Sequence, residues 1–108
     1  KRMTDLKQFE KDHYKGALPL RYRMLFFHII NKGQKDRVDE ILKVLQNMNK
    51  ELPDEANRMS VLRELTGFER IANQQQKEKA STYLQEISNN LQPNNAAYVQ
   101  SLITRIKK

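Results

Sequence analysis

The side chains that could do chemistry in this chain are few and are not spaced for it. The two histidines, His13 and His28, have no second ligand at metal spacing and cannot be paired with a nucleophile. Glu64 and Glu69 lie five positions apart in an expected helix, which turns them away from each other and from any shared metal ion. Asp54 and Glu55 stand at an expected helix start, where capping accounts for them. There is no cysteine, hence no disulfide and no thiolate site, and no Gly-x-Ser-x-Gly or phosphate loop. The sequence therefore predicts no enzyme and no cofactor. It offers binding chemistry instead, on Arg21, His28, Asn31, Arg63, Arg70 and Asn73. Guanidinium forks suit a carboxylate, and amides suit a peptide backbone. A strip of Arg and Asn opposite a core stripe is also what a plain solvated helix face looks like.

The six positions correspond in pairs under a shift of 42 residues: Arg21 with Arg63, His28 with Arg70, Asn31 with Asn73. The same shift places Phe26 on Phe68, Ile29 on Ile71, Leu42 on Leu84 and Leu45 on Ile87. It also aligns Gln34-Lys35-Asp36-Arg37 with Gln76-Lys77-Glu78-Lys79. A repeated helical hairpin needs this agreement, since each unit buries its apolar stripe on its neighbour. Residues 18–45 read as an apolar helix, a tight corner at Lys32-Gly33-Gln34-Lys35 and a second amphipathic helix running back antiparallel.

Along the chain, residues 3–15 predict a helix with Leu6, Phe9 and His13 on one face, ended by Gly16. That stripe is thin and needs a partner. The second helix, Leu18 to Lys32, is apolar on almost every side, which predicts burial between neighbours. The third, Lys35 to Met48, buries Val38, Ile41, Leu42, Leu45 and Met48. A fourth is expected from Asp54 or Pro53 to Asn73, with Gly67 in its middle at a cost of about 1 kcal/mol against alanine. That glycine is either a point of backbone clearance or a neutral surface position. Gln74-Gln75-Gln76 makes the second corner, and a fifth helix follows over 77–90. After the break at Gln92-Pro93, Asn94 or Asn95 caps a last helix with Val99, Leu102, Ile103 and Ile106 inward. No stretch reads as a strand.

At 108 residues the chain suffices for one small domain, taken as residues 1–108. It begins with Lys1, so a piece of a longer protein is expected. Nothing resembles a signal peptide or a membrane span, and the absence of cysteine fits a reducing cytoplasm. The net charge of +7 is loaded on the ends: residues 1–34 hold eight bases against three acids, and 93–108 hold three bases and no acid. Direct nucleic-acid binding through these ends is a third-ranked reading, because no aromatic residues interleave a basic cluster.

The apolar first helix RYRMLFFHIINKG and the corner KGQKDR followed by DEILKVL resemble the carboxyl-terminal region of Rgg/GadR/MutR-type bacterial transcriptional regulators. The likeness covers residues 18–108, and the region in the family is generally longer. The resemblance implies an all-α, right-handed solenoid of tetratricopeptide-like hairpins, about six helices in all. It implies a short signalling peptide bound on the concave side, homodimer contacts, and DNA binding through a helix-turn-helix domain upstream. The alternative is a helical-repeat adaptor with no part in transcription.

Overall fold

The apolar periodicity of 3.6 residues and the scarcity of glycine and proline lead to helices throughout. In a computed structural model, which describes residues 18–107, the described residues hold six α-helices and no strand. The expected helix over 3–15, with His13, lies outside the described residues. The helices are α1 (Leu18–Asn31), α2 (Val38–Glu51), α3 (Glu55–Leu62), α4 (Phe68–Ile71), α5 (Gln74–Ser88) and α6 (Pro93–Lys107). Single 3₁₀ turns at Lys35–Arg37 and Arg63–Leu65 lead into α2 and out of α3.

Each boundary has a local cause. Pro19 stands in the first turn of α1, where its missing N–H costs nothing. Gly33 closes that helix in the left-handed region, φ +61°. The Gly33 and Gln34 amides then donate back to the Ile30 and Ile29 carbonyls at 3.2 and 2.9 Å. Asp54 caps α3 by accepting from the Ala56 amide at 3.1 Å. Asn73 and Gln76 form a reciprocal capping box at the start of α5, at 2.8 and 2.9 Å.

Three expectations are overturned here. The predicted fourth helix, Asp54 to Asn73, is three pieces, because the chain turns at Gly67 with φ +96°. Of the two readings of that glycine, backbone clearance holds: a Cβ there would stand 2.9 Å from Ile30 Cγ2 and 2.5 Å from the Arg70 guanidinium. The predicted corner Gln74-Gln75-Gln76 is the first turn of α5, since the capping box starts the helix three residues early. The predicted cap at Asn94 or Asn95 is also displaced, because Pro93 opens α6.

The core runs through all six helices. Phe26 and Phe68 are both 0% exposed, with Ile29, Ile41, Leu45, Met48, Leu62, Leu65, Leu84, Ile87, Leu102 and Ile106 packed beside them. Helix α1 lies on α3 and the 3₁₀ turn after it, and α2 lies on α5. The 42-residue shift carries α2 onto α5, but it carries α1 onto residues 60–73, the end of α3, the 3₁₀ turn and α4. The contact between α1 and α2, the expected antiparallel partners, is slighter. Helix α6 then covers α5 in the most extensive seam of the fold. The shortest dimension is 18 Å, close to two helix diameters of about 10 Å each.

Helix α1 departs from its expected burial on every side. Phe26, Ile29 and Ile30 are buried, but Leu20, Met24 and Phe27 are 52%, 53% and 53% exposed. Their spacing of four and three residues puts them on one face. What reads as an all-round apolar helix is one core face and one open face.

Candidate functional site

The six candidate residues are all exposed. Arg21 and His28 stand on α1, away from its buried side. Asn31 turns back on its own helix, its amide donating to the Phe27 carbonyl at 2.9 Å. Arg63 opens the 3₁₀ turn that packs on α1. Arg70 lies over Gly67, beside the Ile30 side chain at the carbonyl end of α1, where the helix dipole favours a cation. Asn73 is the α5 cap, and its side-chain oxygen is taken up by the Gln76 amide. The six thus comprise four charged or titratable side chains at the surface and two amides engaged in local hydrogen bonds.

Among the six, His28 lines a groove. It is a shallow depression of about 240 Å³ on α1, shared with Leu20, Arg23, Met24, Phe27 and Glu64. The His28 and Phe27 rings meet edge to face at 6.0 Å. Arg23 reaches across to Glu64 of the 3₁₀ turn at 3.6 Å, which fixes one wall of the depression. Both partners are partly exposed, so the pair orients more than it stabilises.

A second groove, of about 480 Å³, opens between α5 and α6 and involves none of the six. Glu78, Ser81, Thr82, Gln85, Glu86, Ile103 and Lys107 line it. Ser81 is buried and its hydroxyl has no hydrogen-bond partner. Beside it, Gln100 ties the two helices by donating to Gln85 Oε1 and to the Ser88 hydroxyl, each at 3.0 Å. Both histidines of the chain lie elsewhere in the sequence, so Ser81 has no imidazole base on α5 or α6. The groove offers hydroxyl and amide hydrogen bonding with one base and two acids. Among the described residues no cluster of three acids or histidines could hold a metal ion, and no helix is long and apolar enough to cross a membrane.

Three polar residues, of which the sequence singled out only Glu55, and that as a helix-start acid, hold the elements in place. Arg58 is 6% exposed and donates to the carbonyls of Leu52, Pro53 and Asn90 at 2.7, 3.0 and 3.3 Å. It locks the α2–α3 loop to the end of α5. Glu55 accepts from the Gln92 amide at 2.9 Å and from the Asn95 side chain, joining α3 to the α6 entrance. Those two donors hold its carboxyl below the usual range, with Arg58 adding a smaller pull. Tyr22 donates to Glu51 Oε1 at 2.7 Å, and burial together with that carboxylate raises its hydroxyl to about 12. At Arg37, paired with Glu40 at 2.7 Å, the guanidinium is pushed up and the carboxyl down by the same hydrogen bonding. In sequence such residues read as ordinary surface charge, because the partners are 29 to 40 positions distant or are backbone carbonyls.

No family model, curated protein or solved structure matches the chain. The arrangement defines an all-helical domain with Arg21, Arg63 and Arg70 exposed on it.

Proposed function

We propose that this chain is the peptide-sensing and dimerisation domain of a cytoplasmic bacterial transcriptional regulator, built as a right-handed, tetratricopeptide-like solenoid. The observation that supports the reading is the lie of α2 on α5, which the 42-residue shift superposes over residues 80–88, with Phe26 and its 42-residue counterpart Phe68 both fully buried. That is how stacked repeats share a seam. The stacking leaves Arg21, His28, Arg63 and Arg70 at the surface of the first-helix layer, where guanidinium groups can receive a peptide's carboxylates. Asn31 and Asn73 border the same strip and would join only by giving up their local bonds. DNA contact would come from a helix-turn-helix segment upstream.

Two measurements test this. Calorimetry of short acidic peptides against the full chain should give saturable binding that Arg63→Ala with Arg70→Ala weakens by about tenfold to a hundredfold. Sedimentation should show a dimer whose population responds to the peptide. A monomer at every concentration, together with no saturable peptide, would sink the proposal. Capture of a folded protein partner in place of a peptide would favour an adaptor instead.

A further inference from the structure

Ser81 carries a hydroxyl that does not bond its own helix. The described residues hold seven serines and threonines. The other six donate to a carbonyl three or four positions back, as Thr82 does to Glu78 at 3.1 Å and Ser88 to Gln85 at 2.9 Å. Ser81 is 6% exposed, and its hydroxyl has no partner at all. A buried hydroxyl left in that state costs stability and is uncommon. It borders the groove of about 480 Å³ between α5 and α6, where a ligand would complete it.

The rest of the lining tells what kind of ligand. Glu78, Ser81, Thr82 and Glu86 recur at spacings of three and four, so they share one side of α5. Glu78 and Glu86 are in no ion pair: among the described residues those pairs are Arg23–Glu64 and Arg37–Glu40. Thr82 has given its hydrogen to Glu78 and keeps only lone pairs. Gln85 is already engaged, its nitrogen with Ser88 and Asn89 and its oxygen with Gln100. What α5 has free is therefore acceptors. The lining holds two acids against one base, Lys107 on α6, in a chain that carries +7 overall. Lys77 and Lys79, the bases beside Glu78, do not line it. Ile103 gives the α6 wall a carbon surface.

We propose that this groove binds an alkylguanidinium, held by the Glu78 carboxylate and Ser81 Oγ with its aliphatic stem along Ile103. Residues three apart on a helix bring their Cβ atoms to about 5–6 Å, a span that one guanidinium bridges. Its planar fork serves two acceptors at once, where an ammonium offers a point charge. Once Ser81 Oγ accepts, its own hydrogen turns to the Lys77 carbonyl, as the other six hydroxyls already turn to theirs. Glu86 stands two turns on, about 12 Å along the axis, and takes a second donor at the far end of the stem. Lys107 opposes a cation, but its side chain is exposed and can turn to solvent. The inference stands apart from the acidic-peptide reading, since none of the six residues behind that reading lines this groove.

Nuclear magnetic resonance titrations of the full chain test it, with three probes. Agmatine is a free alkylguanidine with a second cation, N-acetyl-arginine methylamide presents the same group as a peptide would, and N-acetyl-citrulline methylamide is its neutral counterpart. Saturable amide shifts confined to residues 78–86 and 103–107 are expected with the first two and not with the third. Tighter binding of agmatine would assign the groove to a free alkylguanidine, and tighter binding of the arginine amide to an arginine side chain; either supports the proposal. Ser81→Ala should weaken binding about tenfold or more, the loss of one hydrogen bond from a charged group. It should leave the denaturation midpoint level or raise it, because the hydroxyl it removes bonds nothing in the free protein. Glu78→Gln, at an exposed position, should weaken binding at least as much without touching the core. No saturable shift at millimolar probe, an equal response to the citrulline amide, or unchanged affinity in both variants would overturn the proposal.

Discussion

Gly67 and Arg58 show how much of this fold hangs on single residues. At Gly67 the backbone adopts φ +96° and α1 approaches so closely that Ile30 would touch any Cβ. Arg70 can swing aside, but Ile30 is held in the core. Gly67→Ala should cost about 1–3 kcal/mol by combining left-handed strain with that clash, and chemical denaturation will measure it. Arg58 serves three backbone carbonyls from a nearly buried position. Arg58→Ala leaves them without a donor and should cost about 2–3 kcal/mol. Arg58→Lys should recover only part of this, because an ammonium cannot present the same fork. A loss below about 0.5 kcal/mol would mean that water replaces the guanidinium without penalty.

At the scale of elements, helix termini and cross-links respond to pH. The folded protein holds the carboxyls of Glu55 and Glu40 low, through hydrogen bonds from Asn95 and Gln92 and from Arg37 respectively. A carboxyl lowered on folding contributes stability that is full above its unfolded value and is lost as pH falls through the folded one. Tyr22 has the opposite sense. Its hydroxyl is raised to about 12, so its contribution is full below the ordinary tyrosine value and fades as pH rises toward 12. Denaturation midpoints should therefore stay level across neutral pH and fall below the carboxylate range and again in strong alkali. In an ultraviolet titration of tyrosinate, one chromophore should ionise near pH 12, and Tyr22→Phe should abolish that step. If Tyr22→Phe leaves the titration unchanged, the Tyr22–Glu51 link between α1 and α2 is not formed in solution.

At the scale of the whole molecule, the single hydrophobic core has an energetic consequence. Phe26 and Phe68, related by the 42-residue shift, belong to one hydrophobic core and are both fully buried. Phe26→Ala and Phe68→Ala should each cost about 3–5 kcal/mol, and both should lower one cooperative transition. Selective melting of residues 68–107 in Phe68→Ala would show instead that the two halves are independent. Much of this organisation is legible in the sequence. The stripe Val38, Ile41, Leu42, Leu45, Met48 is buried as its spacing demands, as is Val99, Leu102, Ile103, Ile106. The break at Gly67 is not legible, because a single glycine in a helical pattern costs only about 1 kcal/mol and is often tolerated. Its left-handed turn goes with a close approach of Ile30 on α1 that leaves no room for a Cβ.

Composition and periodicity by themselves determined that this protein is helical and which side chains its helices bury. Those properties depend on neighbours three or four residues apart, which the sequence displays directly. The tertiary structure alone decided that α1 lies mainly on α3 rather than on α2, that Arg58 and Glu55 tie loops across the fold, and that Leu20, Met24 and Phe27 face outward. Each of these depends on residues far apart in the chain meeting at one place, and no local pattern encodes which apolar side of α1 finds a neighbour first.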